Sequence, residues 1–516
     1  MDASLGSIRH VSMTRDDKNL VFVGLAVGFP LLAWLSVAAW RYGVERPVAR
    51  GLVRIAKATP EDGFLIGALA LGALAGVGLA DWIIRRYDTQ FGGAAFKRFL
   101  RGARMISHRS LQKRTRKAGA VQVLVADTPI PTWLETLHLL LAGATGTGKT
   151  VALAQIIETI LRRGDRLIIV DPNGTFLSRF YLPGDVILNP FDRRSQGWSV
   201  FNELRDAYDF KRYALSVVPK GLTDEAEEWN GYARLLFQAA TRKMASVGNT
   251  DIFSLIKLLS AESDESLKEF LADSEAEGLF VGAKQALSSA RFILAKYLDP
   301  HQYLKDGGEF SIRRWLEDEG GGNLYITWRE DMLEALKPLV STWADILCTS
   351  ILSLPESPAR RIWMVIDELD SLQKLPSLED ALTKGRKHGL RIVAGIQSTA
   401  QLERTNGEKD ATVLRSCFRN ILVLGGGRSD SKTAEDLSKS LGEHEVERET
   451  LGETANDRGG SRSRTMRIER ERVVMPSEIQ SLPELTGYVA FAGDIPIARV
   501  KLVPREYRVR HPAIVE

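Results

Sequence analysis

Residues 143 to 150 read Gly143-Ala144-Thr145-Gly146-Thr147-Gly148-Lys149-Thr150. Three glycines in six positions let a backbone fold back on itself, so that successive amide N–H groups converge on one anion. A lysine and a hydroxyl follow immediately. That pairing suits a polyphosphate and its divalent cation, with Lys149 reaching the β- and γ-phosphates and Thr150 ligating Mg²⁺. The flanks agree. His138-Leu-Leu-Leu-Ala142 is a short apolar run expected as a buried strand, and Val151 to Arg162 has helical periodicity. The loop therefore opens onto a helix N-terminus, whose dipole favours phosphate. This is the P-loop pattern, and the ligands it implies are ATP and Mg²⁺.

A second apolar run ends in two acids, Arg361-Ile-Trp-Met-Val-Ile-Asp367-Glu368. Asp367 is placed to hold Mg²⁺ through water, and Glu368 to orient and polarise an attacking water. A third run, Arg391 to Ile396, ends at Gln397, a candidate sensor of the γ-phosphate. Arg386, in Thr383-Lys-Gly-Arg-Lys387, is a candidate arginine finger for its own or a neighbouring subunit's nucleotide. Arg329 is its rival; both also read as ordinary solvated or salt-bridged arginines. Trp229 reads either as a core residue or as a channel-facing aromatic.

These residues need a scaffold that brings several strand ends together. Strand-like runs recur at about 138–142, 166–171, 323–327, 362–367, 391–396 and 420–424, with helical stretches between them. The alternation predicts an α/β fold with a mostly parallel, twisted, doubly wound sheet. Its carboxyl ends would carry the P-loop, Asp171, Asp367 and Gln397, where ligands bind in such folds. Residues 199–314 interrupt the alternation with helical periodicity alone and are expected as an inserted all-α domain, whose helix after Thr223 opens with acids in its first turn. The nucleotide-binding domain is then 121–198 joined to 315–516. From Glu447 to Arg472 the chain is rich in Gly, Ser, Arg and Glu; Asn456 to Arg464 has nothing to bury and is expected as a mobile loop.

The N-terminus has a different character. Asn19 to Trp40 and Phe64 to Ile84 are apolar runs, each able to cross a hydrocarbon core of about 30 Å. The second contains Gly72-xxx-Gly76 with Gly67 and Gly78 nearby, a spacing that admits close helix contact. A cleaved signal peptide is the competing reading of the first run, which is longer than such segments usually are. Residues 1–86 are thus a membrane anchor with spans at about 19–40 and 64–84, joined by a short outside loop carrying Arg41, Arg46, Arg50, Arg54 and Lys57. Residues 87–120 read as a basic linker for lipid headgroups first and DNA second. Its density of Lys and Arg places both the N-terminus and the main body in the cytoplasm. The whole chain of 516 residues has a formal charge of only +4. Composition alone therefore argues weakly for nucleic acid. Two cysteines, Cys348 and Cys417, make no disulfide framework.

Beyond the nucleotide motifs, Ile169-Val-Asp-Pro-Asn-Gly174, Ile187-Leu-Asn-Pro190, Ala214-Leu-Ser-Val-Val-Pro219, Ile326-Thr-Trp-Arg-Glu-Asp331, Ala381-Leu-Thr-Lys-Gly-Arg-Lys387 and Val473-Val-Met-Pro476 give the chain a family resemblance. It resembles the conjugative type IV secretion coupling proteins of the TraG/TraD family over nearly all of its soluble body. The resemblance implies a RecA-like P-loop NTPase domain, an all-α domain facing the cytoplasm, an inner-membrane anchor and an active homo-hexamer. It further implies DNA-dependent ATP hydrolysis, with single-stranded DNA as the first partner and double-stranded DNA as the second. The other implied partners are the relaxase of a relaxosome, the inner-membrane proteins of a type IV secretion system and the lipid bilayer. Lys149, Thr150, Asp367, Glu368, Arg386 and Gln397 fall on family motif positions, and Trp229 on a family tryptophan near the channel mouth. Glu135-Thr-Leu137 departs from the family in having no arginine before the P-loop. Two other functions share the anchor and motor: a chromosomal DNA translocase of the cell-division type, and a nucleotide-gated assembly platform that does not pump.

Overall fold

The computed structural model describes residues 15–43, 48–87, 96, 98–281, 284–305, 308–318, 320–454 and 461–516. Contacts divide the chain into two units, residues 1–104 with 441–475, and residues 105–440 with 476–516.

The first unit opens with helices Arg15–Tyr42 and Gly63–Tyr87. Within them Asn19–Tyr42 and Gly63–Ile84 are long and apolar enough to cross a membrane. They lie antiparallel and close because of two glycines. A Cβ on Gly72 would stand 2.7 Å from Pro30 Cα, and one on Gly76 would overlap the Leu25 carbonyl. Gly67 and Gly78 have open space beside them, so they take no part in the contact. The segment between the spans is more than a loop: Val48–Ala58 is a helix. Its Ile55 packs with Trp34, Ala38 and Leu65, and Trp34 Nε1 donates to Thr59 Oγ1 at 3.0 Å. Asp62 closes the turn, accepting from Tyr42 Oη at 2.7 Å and pairing with Arg41 Nε at 2.9 Å. Apolar residues recurring every three or four positions (Leu52, Ile55) supply the helical face that the basic residues obscured. Arg46 lies outside the described residues.

The same unit holds a three-stranded antiparallel sheet of Arg98–Gly102, Glu443–Thr454 and Ser461–Arg472. Two expectations are corrected here. The segment 87–120 is more than a linker, because it supplies the first of these strands and, further on, the helix His108–Thr115. The stretch 447–472 is mostly a long hairpin. Its alternating charges pair across strands, Glu443 opposite Arg472 and Glu445 opposite Arg470. Arg101 grips Glu445 with bonds of 2.6 and 2.8 Å, while Val446 is wholly buried. Opposite charges in register stabilise strands that have little apolar surface. Part of the expected mobile loop, 456–460, lies outside the described residues.

The second unit is built on a ten-stranded sheet. Numbered in chain order, its strands are β1 (Met105–Ile106), β2 (Leu139–Ala142), β3 (Arg166–Pro172), β4 (Val186–Leu188), β5 (Leu324–Trp328), β6 (Ile362–Ile366), β7 (Leu390–Ile396), β8 (Asn420–Leu424), β9 (Thr486–Ala490) and β10 (Ile497–Lys501). The spatial order is β1-β10-β9-β8-β2-β7-β6-β3-β5-β4. From β8 to β4 every neighbouring pair is parallel, and β9 and β10 are antiparallel additions. β2, β6, β7 and most of β3 are buried on both faces, which is why they read as unbroken apolar runs. The short edge strand β4 gave no such signal. A third apolar helix of spanning length, Glu330–Ser353, is 83% buried and belongs to this core.

Residues 199–314 contain helices and 3₁₀ turns and no ladder strand among the described residues. Thr223 caps Asp224–Ser246 through its hydroxyl, with Asp224, Glu225 and Glu227 in the first turn as the sequence indicates. Glu203 pins entry to exit: it accepts from Trp198 Nε1 at 2.8 Å, Ser311 Oγ at 3.0 Å and the Ile312 amide at 2.7 Å. Gly197 and Gly308 touch at the same neck, where a Cβ on Gly197 would come within 2.5 Å of Gly308 Cα.

Two expected outcomes follow. Gly76→Val lowers the thermal midpoint of the full chain in detergent, at a cost of about 1–3 kcal/mol from overpacking, while Gly78→Val leaves it within a degree of wild type; equal effects would show that the hairpin does not close on Gly76. The second concerns His301, which is fully buried with its pKa lowered by desolvation from 6.5 to about 4. It stays neutral when folded, so its stabilising contribution is complete above pH 6.5 and is lost as pH falls toward 4. At pH 5 the loss is about 2 kcal/mol. Urea midpoints measured from pH 7.5 to 5 should therefore fall less steeply for His301→Leu than for wild type; parallel curves would remove this role.

Candidate nucleotide site

β2 delivers the chain to the carboxyl edge of the sheet at Gly143, and the helix Lys149–Arg163 leaves from it. Between them Gly146 and Gly148 have φ of 79° and 112°, in the region that side chains avoid. The loop is held from three sides. The Gly143 amide donates to Ile396 O at 3.2 Å, the Ala144 amide to Gly425 O at 2.9 Å, and Thr147 O accepts from the Leu485 amide at 3.1 Å. Gly148 is also a packing glycine, since a Cβ there would stand 2.8 Å from Leu502 Cδ1 and 2.9 Å from Leu485 Cδ2.

The strand order decides what faces the loop. β7 lies between β2 and the acidic strand β6, with Ile396 beside Ala142 and Ala394 beside Ile366. Gln397, at the tip of β7, therefore stands between the P-loop and Asp367–Glu368. Its Nε2 donates to Glu368 Oε1, and Thr145 Oγ1 donates to its Oε1 at 3.4 Å. Gly395 lets β7 approach, because a Cβ there would overlap the carbonyl of Asp367. Lys149 Nζ donates to Gly143 O at 2.5 Å. Thr150 is exposed at the first turn of the helix.

The electrostatics are those of a cation site. Burial, then the neighbouring Glu368, raises the pKa of Asp367 to about 6, against the opposing pull of Lys149. Burial likewise raises Asp370 to about 6 and Asp171, on β3, to about 7. The ammonium of Lys149 is lowered by burial and partly restored by Glu368, Asp370 and Asp367. Carboxylates gathered in a partly dry cleft gain from a divalent cation. Among the described residues no three His, Cys, Asp or Glu form a metal cluster, so Mg²⁺ here would keep waters and draw on Thr150 and phosphate oxygens, as suits that ion. Asp370 Oδ1 and Asp171 Oδ1 are buried without a hydrogen-bond partner. The orphan acceptor on Asp370, a group that feels the charges of Lys149 and Glu368, fits a hydrated cation with its phosphates.

The other candidates are placed elsewhere. Arg386 is exposed on the 3₁₀ turn Gly385–His388, ahead of β7. That is the amino edge of the sheet, and the seven residues of β7 put it about 20 Å from its own P-loop. Arg329 lies at the carboxyl edge but is committed, pairing with Asp331 at 2.8 Å and with Glu516. Trp229 is half-buried on the helix of the all-α segment, edge-on to Tyr232 at 5.8 Å. Glu135 is buried at the amino edge. Asp370 was missed by the sequence reading. Its signal was an acid three residues past Asp367, on a turn whose direction sequence alone does not fix.

This fold and site define a P-loop nucleotide-binding protein with one extra strand between its P-loop strand and its acidic strand. The model of the type IV secretion-system coupling protein DNA-binding domain matches residues 122–503, and the chain belongs to that family. The coupling protein TraD of Escherichia coli K12 is 34% identical over 395 residues, 74% of this chain and 54% of that one; the chain thus spans about half the length of this relative. The crystal structure of the bacterial conjugative coupling protein TrwBdeltaN70 is 55% identical, with a TM-score of 0.78 over 83% of this chain and 99% of its own. TrwB has also been solved with ADP and Mg²⁺, at 55% identity, a TM-score of 0.77 and 83% and 100% coverage.

Gly395→Ala should push Asp367 off the P-loop and weaken Mg²⁺-dependent nucleotide binding about tenfold or more, by the usual cost of disturbing a ligand's support. Calorimetric titration with Mg·ADP checks this. Unchanged affinity would mean that the approach of β7 to Asp367 is not what positions the acid.

Proposed function

We propose that this chain is a membrane-anchored, DNA-dependent ATPase that acts as a conjugative coupling protein. It links a relaxase–DNA complex to a type IV secretion channel and drives transfer of single-stranded DNA. The observation that carries the reading is the convergence of Lys149, Glu368 and Gln397 on one P-loop, in a chain 55% identical to a coupling protein solved with ADP and Mg²⁺.

In this reading the amides of residues 143 to 148 and the helix N-terminus orient the phosphates. Lys149 exchanges the Gly143 carbonyl for the β- and γ-phosphate oxygens, and Thr150 and Asp367 hold Mg²⁺, which supplies charge neutralisation at the phosphates. Glu368 takes the proton of the attacking water. Gln397, now bonded to Glu368, turns to the γ-phosphate and so reports its presence along β7. Arg386 is too far from its own nucleotide and acts in trans, which requires a neighbouring subunit; six copies in a ring is the arrangement the family resemblance suggests. Trp229 faces the channel. Two spans anchor the protein in the bacterial inner membrane, with the N-terminus and the ATPase body in the cytoplasm.

The test is ATP turnover by the full chain in detergent, with and without single-stranded DNA. DNA should stimulate turnover, and Lys149→Ala and Glu368→Gln should each lower it by about 10²-fold or more, as loss of a charge-stabilising or proton-accepting group does. Arg386→Ala should keep nucleotide affinity but lose the rise in specific activity with protein concentration. Turnover indifferent to DNA, together with normal DNA transfer by the Lys149 variant, would replace the motor with a nucleotide-gated platform.

A further inference from the structure

Asp370 is a carboxylate of the cleft to which the mechanism above gives no task. It lies on the 3₁₀ turn Leu369–Ser371, directly after the Asp367–Glu368 pair, and is 8% exposed. Its Oδ2 accepts the backbone amide of Gln397 at 3.3 Å. Its Oδ1 is buried and has no hydrogen-bond partner. A buried carboxylate left half-satisfied is costly, and an apolar residue on the same turn would avoid the cost. Asp171 also has an unpartnered oxygen. Its other oxygen, however, is taken by the amides of Phe176 at 2.9 Å and Leu177 at 2.7 Å, so it serves its own turn. Asp370 instead touches a residue of the site.

We propose that Asp370 is a positioning residue of the nucleotide site: one oxygen fixes the Gln397 turn beside Glu368, and the other accepts a water of the hydrated Mg²⁺ that accompanies the nucleotide. This rests on the nucleotide reading above. Mg²⁺ gives up its waters reluctantly, and the described residues offer it no dedicated cage. Those waters need acceptors beyond the direct ligands, and such outer partners set metal affinity. The arrangement also gives a use to a polar residue that stands where packing alone would favour an apolar one.

The experiment compares the full chain in detergent with Asp370→Asn and Asp370→Ala. ADP affinity is measured with Mg²⁺ and with the metal chelated, and thermal midpoints are measured without nucleotide. Metal-free ADP affinity should stay within about twofold in both variants, and Mg·ADP affinity should fall about tenfold or more, recovering in part as Mg²⁺ is raised. Without nucleotide the midpoint of Asp370→Asn should be no lower than wild type, because a buried unpaired charge has been removed. If Mg²⁺ tightens ADP equally in wild type and variants, the proposal is overturned. It is likewise overturned if both variants lose metal-free binding and melt early, which is the behaviour of a purely structural residue. Failure of the wild type itself to bind Mg·ADP would instead sink the nucleotide reading on which the inference stands.

Discussion

The nucleotide site depends on one close approach, that of β7 to β6 at Gly395. A side chain at that position would collide with the carbonyl of Asp367. Its absence lets a strand be interposed between the P-loop strand and the acidic strand without separating their chemistry. The interposed strand then contributes Gln397, whose carboxamide bridges Thr145 of the loop and Glu368 of the acid pair. A residue on the intervening strand thus touches both halves of the site at once. Its backbone is continuous with β7, a strand buried on both faces.

The opposite edge of the sheet is held by charge. Arg163 bonds Glu135 at 2.6 Å and also pairs with Asp165; Arg391 bonds Glu135 at 3.0 Å; Trp363 Nε1 donates to Asp165 at 2.9 Å. All four charged side chains are nearly inaccessible. Two cations and two anions, mutually bonded, satisfy the desolvation that any one of them alone would suffer. The residues come from the turn before β2, the end of the P-loop helix and its turn, and the starts of β6 and β7, so the cluster ties together the elements whose other ends form the nucleotide cleft. Glu135, which stands in the segment before the P-loop where an arginine is missing, has its task here.

What could be read from the sequence was whatever depends on short spacing. The P-loop is contiguous, so its glycines and Lys149 fix their own geometry, and β6 and β7 are buried enough to show as apolar runs. The pair Gly72 and Gly76 was legible as a contact, yet Gly67 and Gly78 share the composition and face open space; only helix phase separates them. What stayed hidden was set by partners distant in sequence. The strands that run into 456–464, the piece read as having nothing to bury, pair acids with arginines such as Glu443 with Arg472 and Glu445 with Arg470, and such pairs leave no apolar signal in the sequence. Asp370 and Arg386 were a matter of direction: an acid three residues past Asp367 turns back into the cleft, while an arginine four residues before β7 is carried to the far edge.

That last placement bears on assembly. A P-loop site gains from a positive charge at the developing phosphate charge, commonly supplied as an arginine from outside the loop. Within this chain Arg329 sits on the correct edge but is already paired with the exposed acids Asp331 and Glu516. Arg386 is exposed and has the sheet between it and its own P-loop. An arginine at the amino edge of one subunit can meet a nucleotide at the carboxyl edge of the next only if subunits stack edge to edge in a head-to-tail manner. Such contacts are heterologous, and they close into a ring when the rotation per subunit divides the circle. A nucleotide site completed this way would be silent in the isolated chain and active only where neighbouring subunits meet.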